Sequence, residues 1–136
     1  MLHKDIIPSN LIPTFNSTTI EMFLHKISGL SEHFIYANDD MLPLGGLCPE
    51  DFFSNGVPIY ELVWKDSARN TFRMQCKNAY RLAAKLSGTH IDSSKFFCIR
   101  HGMSPMLKSI YKEVHSRAED EILSKCTKFR EPWNLT

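Results

Sequence analysis

No stretch of this sequence approaches the roughly 20 consecutive apolar residues needed to span a bilayer. The N-terminal "MLHKDIIPSNLIP" breaks at Pro8 and Pro13 before it could form the apolar centre of a signal peptide, so no transmembrane segment is expected. Charge of one sign is also missing: 16 Lys+Arg stand against 15 Asp+Glu, a formal charge of +1, with no run of like charges. That balance excludes the basic footprint of a nucleic-acid binder and a basic patch steering the chain to a membrane, so nucleic acid is not an expected partner. Cys48, Cys76, Cys98 and Cys126 form no CxxC pair and have no His at zinc-finger distance. Reduced, mostly buried thiols are expected in place of structural zinc. Repeats and low-complexity segments are absent, which argues against a solenoid. What remains is 136 residues, 43% of them hydrophobic, enough for the core of one domain in a cytosolic or peripheral setting.

The order of elements follows from periodicity and punctuation. Residues 1–15, with two prolines, read as an extended, irregular entry. Ile20, Phe23, Leu24 and Ile27 recur at helical spacing, and "TTIE" at 18–21 has the form of a capping box, predicting an amphipathic helix over 18–28 that stops at Gly29. The run "FIYA" at 34–37 has no apolar/polar alternation, which suits a strand covered on both faces, as in a parallel sheet. "LPLGGLCPEDFF" reads as a turn-rich connection, with Pro49 opening a helical turn, and "VPIYELVW" at 57–64 as a second strand that Pro58 pushes to an edge. Residues 67–86 carry an apolar stripe through Phe72, Cys76, Ala79, Leu82, Ala83 and Leu86 and end at Gly88, a helix. "FFCIRHG" at 96–102 delivers Arg100 and His101 to a glycine; Ser104-Pro105 reads as a helix start, with another helix over 116–126.

Chemistry concentrates at the end of the first strand, where Asn38 is followed by Asp39 and Asp40. Two adjacent carboxylates at a buried strand end repel each other unless a cation is present, and a hard divalent ion takes one or two carboxylates plus substrate phosphates. In open α/β sheets that end of a strand is also where ligands gather. A solvated Asx-rich turn explains the same residues without any ligand. His101 suits a general base, a phosphate ligand or a hydrogen-bonded structural His. Arg130 suits a bidentate phosphate contact or a surface ion pair.

Taken together, these stretches resemble the Stealth family, which includes bacterial capsular polysaccharide phosphotransferases and the catalytic subunit of animal N-acetylglucosamine-1-phosphotransferase. "PTFNS", "GLSEHFIY" and "NDD" followed by "PEDFF" are similar to its second conserved region, and "HGMSPMLKSIYKEV" with "KFREPWNLT" to its third. The resemblance implies an α/β, Rossmann-like catalytic domain, here a partial, mostly parallel sheet with flanking helices. It implies transfer of a sugar 1-phosphate from a nucleotide-sugar donor to a hydroxyl of a glycan acceptor, with a divalent cation, Mg²⁺ or Mn²⁺. It also implies a bacterial cytoplasmic setting, peripheral at the inner membrane. Carried over by residue, Asp39 and Asp40 would hold the metal, with Asp40 also counted as catalytic. Asn38, Asn16 and Ser17 would bind the donor. His101 would be the general base and Arg130 would stabilise phosphoryl charge. His25 matches as well, as a packing residue or a site residue.

The family's first region, an apolar strand of the "IDIVYTWVDG" kind with an active-site Asp, would precede residue 1, and a short fourth region would follow residue 136. Without that strand a parallel sheet would show open edges, and a complementing N-terminal segment is an expected partner. A non-catalytic remnant binding a nucleotide sugar or a partner protein is the alternative. An ordinary glycosyltransferase, which moves the sugar without its phosphate, would share the acidic motif.

Overall fold

Helix α2, Thr71–Ser87, forms where the apolar stripe predicts it. Asn70 caps it by accepting from the Arg73 amide at 2.9 Å, and Gly88 ends it in the left-handed region at φ +67°. The structure, a computed structural model, describes residues 2–92 and 94–136; Met1, first residue of the expected extended entry, lies outside the described residues. The rest of that entry carries two 3-10 turns, His3–Asp5 and Ser9–Leu11, and buries Ile6, Ile7 and Leu11 in the main core.

The helix expected over 18–28 is shorter. α1 runs Ser17–Glu21 with Asn16 as its cap, and a separate 3-10 turn covers Leu24–Lys26. Phe23 interrupts the two at φ −109°, ψ 10°, and the Thr19 hydroxyl is held by the distant Thr127 carbonyl at 2.9 Å. Tertiary bonds therefore override the apolar period. Beyond residue 107 the chain makes one helix where two were expected: α3, Lys108–Lys125, kinked at Ala118 (φ −144°, ψ 31°). Its amino end is capped by Glu32, whose Oε1 accepts from the Ser109 amide at 3.2 Å.

The expected Rossmann-like parallel sheet is not present. Among the described residues the strands form three two-stranded antiparallel pairs. β1, His33–Tyr36, pairs with β6, Ser104–Leu107, in the register His33 to Leu107 and Tyr36 to Ser104. β2, Phe53–Ser54, and β3, Val57–Pro58, make a hairpin. Its two-residue loop is Asn55-Gly56 with both φ positive, 50° and 78°, the mirror-image turn that suits strand twist. β4, Leu62–Lys65, pairs with β5, Phe96–Ile99. The error has a physical origin: four apolar residues in a row look alike whether a strand is covered on one face or two. β1 alternates exposed and half-buried along its length, so water reaches one of its faces. Ser104-Pro105 likewise opens a strand and not a helix; Pro105 is buried there, with its carbonyl accepting from the Tyr60 hydroxyl at 2.5 Å.

Two packing centres result. The larger gathers Phe23, Leu82, Ile122, Cys126 and Leu135 around the entry segment; the smaller is Cys76, Phe96 and Cys98 between α2 and β5. All four cysteines are free, and three are buried. His25 is buried beside His115, with ring centroids 4.3 Å apart, and its Nδ1 has no partner among the described residues. Burial first, then the positive charge of His115, Lys26 and Lys112, lowers its pKa from 6.5 to about 4. The unfolded chain therefore takes up this proton before the folded one does. Stability is expected to fall as pH drops from 6.5 towards 4, by on the order of 2–3 kcal/mol from this residue. Thermal melts at pH 7.5 and 4.5 should show a smaller difference for His25→Gln than for the parent chain; equal differences would remove His25 from the account.

Candidate functional site

A cleft of about 500 Å³ opens between the β1/β6 pair, the β4/β5 pair and α2. Its walls bring together side chains remote in sequence. β1 ends at Tyr36 and delivers Asn38, Asp39 and Asp40, with the Asn38 carbonyl closing the turn on the Met41 amide at 3.1 Å. β5 ends at Ile99 and delivers Arg100, His101 and Gly102. The first turn of α1 contributes Ser17, and the segment after α3 contributes Arg130. The floor is apolar, with Phe72, Ala79, Ala83 and Phe97 among its residues.

Six of the seven residues singled out as site residues, Ser17, Asn38, Asp39, Asp40, His101 and Arg130, line this one cleft. The Arg130 guanidinium donates from Nη2 to Ser17 Oγ at 2.5 Å. His101 Nε2 stands 3.7 Å from Asp40 Oδ2, with both side chains about two-thirds exposed, so their attraction is screened by water. Arg100 pairs outward with Glu61 at 3.0 Å. Both aspartates are exposed, so the like-charge conflict of a buried acidic pair does not arise here. Solvent screens it, and a cation is not needed to hold the turn together.

The seventh residue, Asn16, is fully buried and stands behind the cleft. Its Oδ1 accepts from the Thr18 amide and hydroxyl, and its Nδ2 donates to Thr19 Oγ1, the Phe129 carbonyl and Asn134 Oδ1, the last at 2.9 Å. One amide thus ties the start of α1 to the 127–134 segment and so sets Ser17 beside Arg130. Asn16→Ala is expected to destabilise the fold by about 3 kcal/mol, because several buried polar groups would lose their partner at once. Urea unfolding measures this, and a change below about 0.5 kcal/mol would place the tie elsewhere. His25 packs against His115 and is not among the cleft residues.

Glu21 and Tyr36 also line the cleft. The Tyr36 hydroxyl donates to Glu21 Oε1 at 2.9 Å and lies 3.0 Å from Asn38 Oδ1. Burial and the Glu21 carboxylate push the phenol well above its ordinary pKa, so it stays protonated as a donor. No local sequence signal marks either residue, since Glu21 reads as part of a capping box and Tyr36 as one apolar strand residue among four.

Among the described residues no group of three or more His, Cys, Asp or Glu side chains is placed to enclose a metal ion. Two neighbouring exposed carboxylates fit a more limited role. Mg²⁺ keeps much of its water and commonly takes one or two protein carboxylates together with substrate phosphates. The donor set is all oxygen, as Mg²⁺ and Mn²⁺ prefer.

Comparison with known proteins finds sequences similar to this one. Residues 1–59 match the model of Stealth protein CR2, conserved region 2. The chain is 39% identical over 129 residues to a capsular polysaccharide phosphotransferase of Actinobacillus suis, covering 89% of this chain and 34% of that protein. It is 35% identical over 134 residues to the capsular polysaccharide phosphotransferase fcs1 of Haemophilus influenzae, with 90% and 35% covered. To the exopolysaccharide phosphotransferase cps2G of Lactiplantibacillus plantarum it is 51% identical over 67 residues, 48% of this chain and 18% of that one. The chain spans about a third of the length of the first two. Among the described residues, no helix is long and apolar enough to cross a membrane. Residues 1–59 thus carry a likeness to the second conserved region of Stealth proteins, and the likeness to capsular polysaccharide phosphotransferases extends over most of the remaining length.

Proposed function

We propose that the cleft serves transfer of a hexose or hexosamine 1-phosphate from a nucleotide sugar to a glycan hydroxyl in capsular or exopolysaccharide synthesis, in the bacterial cytoplasm or at the inner face of its membrane. One observation carries this reading: four segments far apart in sequence converge so that an acidic turn, a histidine and an arginine face one space of about 500 Å³. Phosphoryl transfer asks mainly for positioning and for neutralisation of oxygen charge, with a base for the attacking hydroxyl. The names of the relatives, all phosphotransferases of surface polysaccharides, agree with that chemistry.

In this reading Arg130, oriented by Ser17, binds the donor diphosphate. Asp39 and Asp40 would hold Mg²⁺ or Mn²⁺, which when bound supplies positive charge against the phosphate oxygens. His101 accepts the proton of the acceptor hydroxyl as that oxygen attacks the phosphorus next to the sugar. The bond from this phosphorus to the bridging oxygen breaks, and the nucleoside monophosphate leaves with the electron pair. Tyr36, kept protonated, donates to Glu21 and fixes that carboxylate at the cleft wall. The apolar floor formed by α2 and β5 limits water beneath the reacting groups.

The deciding experiment follows the phosphate. UDP-N-acetylglucosamine, labelled in the phosphate next to the sugar, is incubated with the protein, a capsular oligosaccharide and Mg²⁺. Label appearing in a phosphodiester of the product supports the proposal. Sugar transferred without label would indicate an ordinary glycosyltransferase and overturn it.

A further inference from the structure

Two phenylalanines close in sequence to cleft residues are exposed where apolar side chains would ordinarily be covered. Phe15 is 72% exposed and Phe129 63%. They stack on each other, ring centroids 5.6 Å apart and planes within 14°. Phe129 immediately precedes the cleft residue Arg130, and Phe15 stands two residues before the cleft residue Ser17. The bond from Arg130 to Ser17 joins the two segments that carry the rings.

We propose that this pair is a stacking platform for the base of a nucleotide, seating the donor with its base on the phenyl rings and its diphosphate towards Arg130. The inference rests on the proposed donor site and specifies which part of the donor is recognised. Three features support it. The rings are nearly parallel, so an outer face stays free for a planar group, the offset arrangement that aromatic systems favour. They are also fixed before any ligand arrives. The Phe15 amide donates to the Lys128 carbonyl at 2.8 Å, and the Phe129 carbonyl accepts from Asn16 Nδ2 at 3.2 Å and from Thr127 Oγ1 at 2.5 Å. A platform held in place in this way loses little conformational freedom on binding. Finally, exposed Lys128 precedes Phe129 in the chain and Arg130 follows it, so positive charge adjoins the platform residue in sequence, which suits an aromatic group attached to phosphate. A saturated sugar ring would not use the flat face as fully, and a protein or lipid partner would not account for the adjoining phosphate-binding arginine.

Base–aromatic stacking is tolerant of base identity, because every base has a π face. The test therefore compares ligands with and without a base. Each of the four ribonucleoside monophosphates and ribose 5-phosphate are titrated into the protein by calorimetry. The parent chain should bind at least one nucleoside monophosphate about tenfold more tightly than ribose 5-phosphate. Phe129→Ala and Phe15→Ala should erase that preference while leaving ribose 5-phosphate affinity unchanged, and Phe129→Trp should restore it, with indole fluorescence quenched by the nucleotide alone. Equal affinity for all five ligands in the parent chain overturns the inference, as does a preference that survives both alanine variants, and so does the absence of binding by any of them. The phosphate-transfer assay separates this from the broader reading. Phosphodiester formation undiminished by Phe129→Ala defeats the platform alone, whereas a base preference carried by the phenylalanines without phosphodiester formation defeats the transfer chemistry alone.

Discussion

Asp39→Asn and Asp40→Asn are each expected to abolish metal-dependent transfer of sugar phosphate with no change in the fold. Both side chains are exposed on a turn closed by a backbone bond from Met41 to Asn38, so neither carboxylate is needed to hold the chain in shape. Asparagine keeps the size and the turn preference of aspartate and removes only the charge. The effect should therefore appear in turnover and in metal dependence, with circular dichroism and the melting temperature unaltered. Asp40 also stands 3.7 Å from His101. Its replacement removes a neighbour of the proposed base as well as a proposed metal ligand. Turnover unchanged in either variant would remove the assigned metal role from that residue.

His101→Ala should lower turnover by roughly 10²- to 10⁴-fold, the usual range for loss of a positioned general base. The imidazole is two-thirds exposed, and its one ion-pair contact among the described residues is with Asp40, so truncation removes little packing. Donor affinity should stay close to that of the parent chain, because in the proposed role His101 acts on the acceptor hydroxyl and not on the diphosphate. The expected signature is a fall in kcat with little change in KM for the donor. A loss of only a few-fold would make His101 a structural residue.

These two expectations depend on residues that the sequence exposes to very different degrees. α2 is readable locally, because Asn70, the apolar stripe and Gly88 all mark the same helix. Conversely, "FIYA" and "FFCI" cannot reveal their direction of pairing. Their partners are Ser104–Leu107 and Leu62–Lys65, and a strand of four residues carries no record of which distant segment lies beside it. Ser104-Pro105 reads as a helix start yet forms a strand for a related reason, since the fixed φ of proline suits both alike. Asn55-Gly56, by contrast, was a hairpin signal present in the letters. The candidate site became apparent through motif resemblance, while the residues connecting it did not. Asn16 resembles a site residue yet works as a buried tie, and Glu21 and Tyr36 acquire their places only once β1 packs near α1.

The hydrogen bonds from Asn16 to Phe129 and Asn134 span nearly the whole chain, and they impose an order in time. The acidic turn leaves the ribosome before β6, which pairs with β1, and before Arg130, which meets Ser17. Pairings between residues so far apart carry a large loop-closure cost and form late. Growing chains therefore display Asp39 and Asp40 without a cleft around them, and a product of premature termination before residue 127 would retain the acidic motif but lack the arginine and the tie that positions it. Synthesis of residues 127–134 is in this sense the step that completes the cleft.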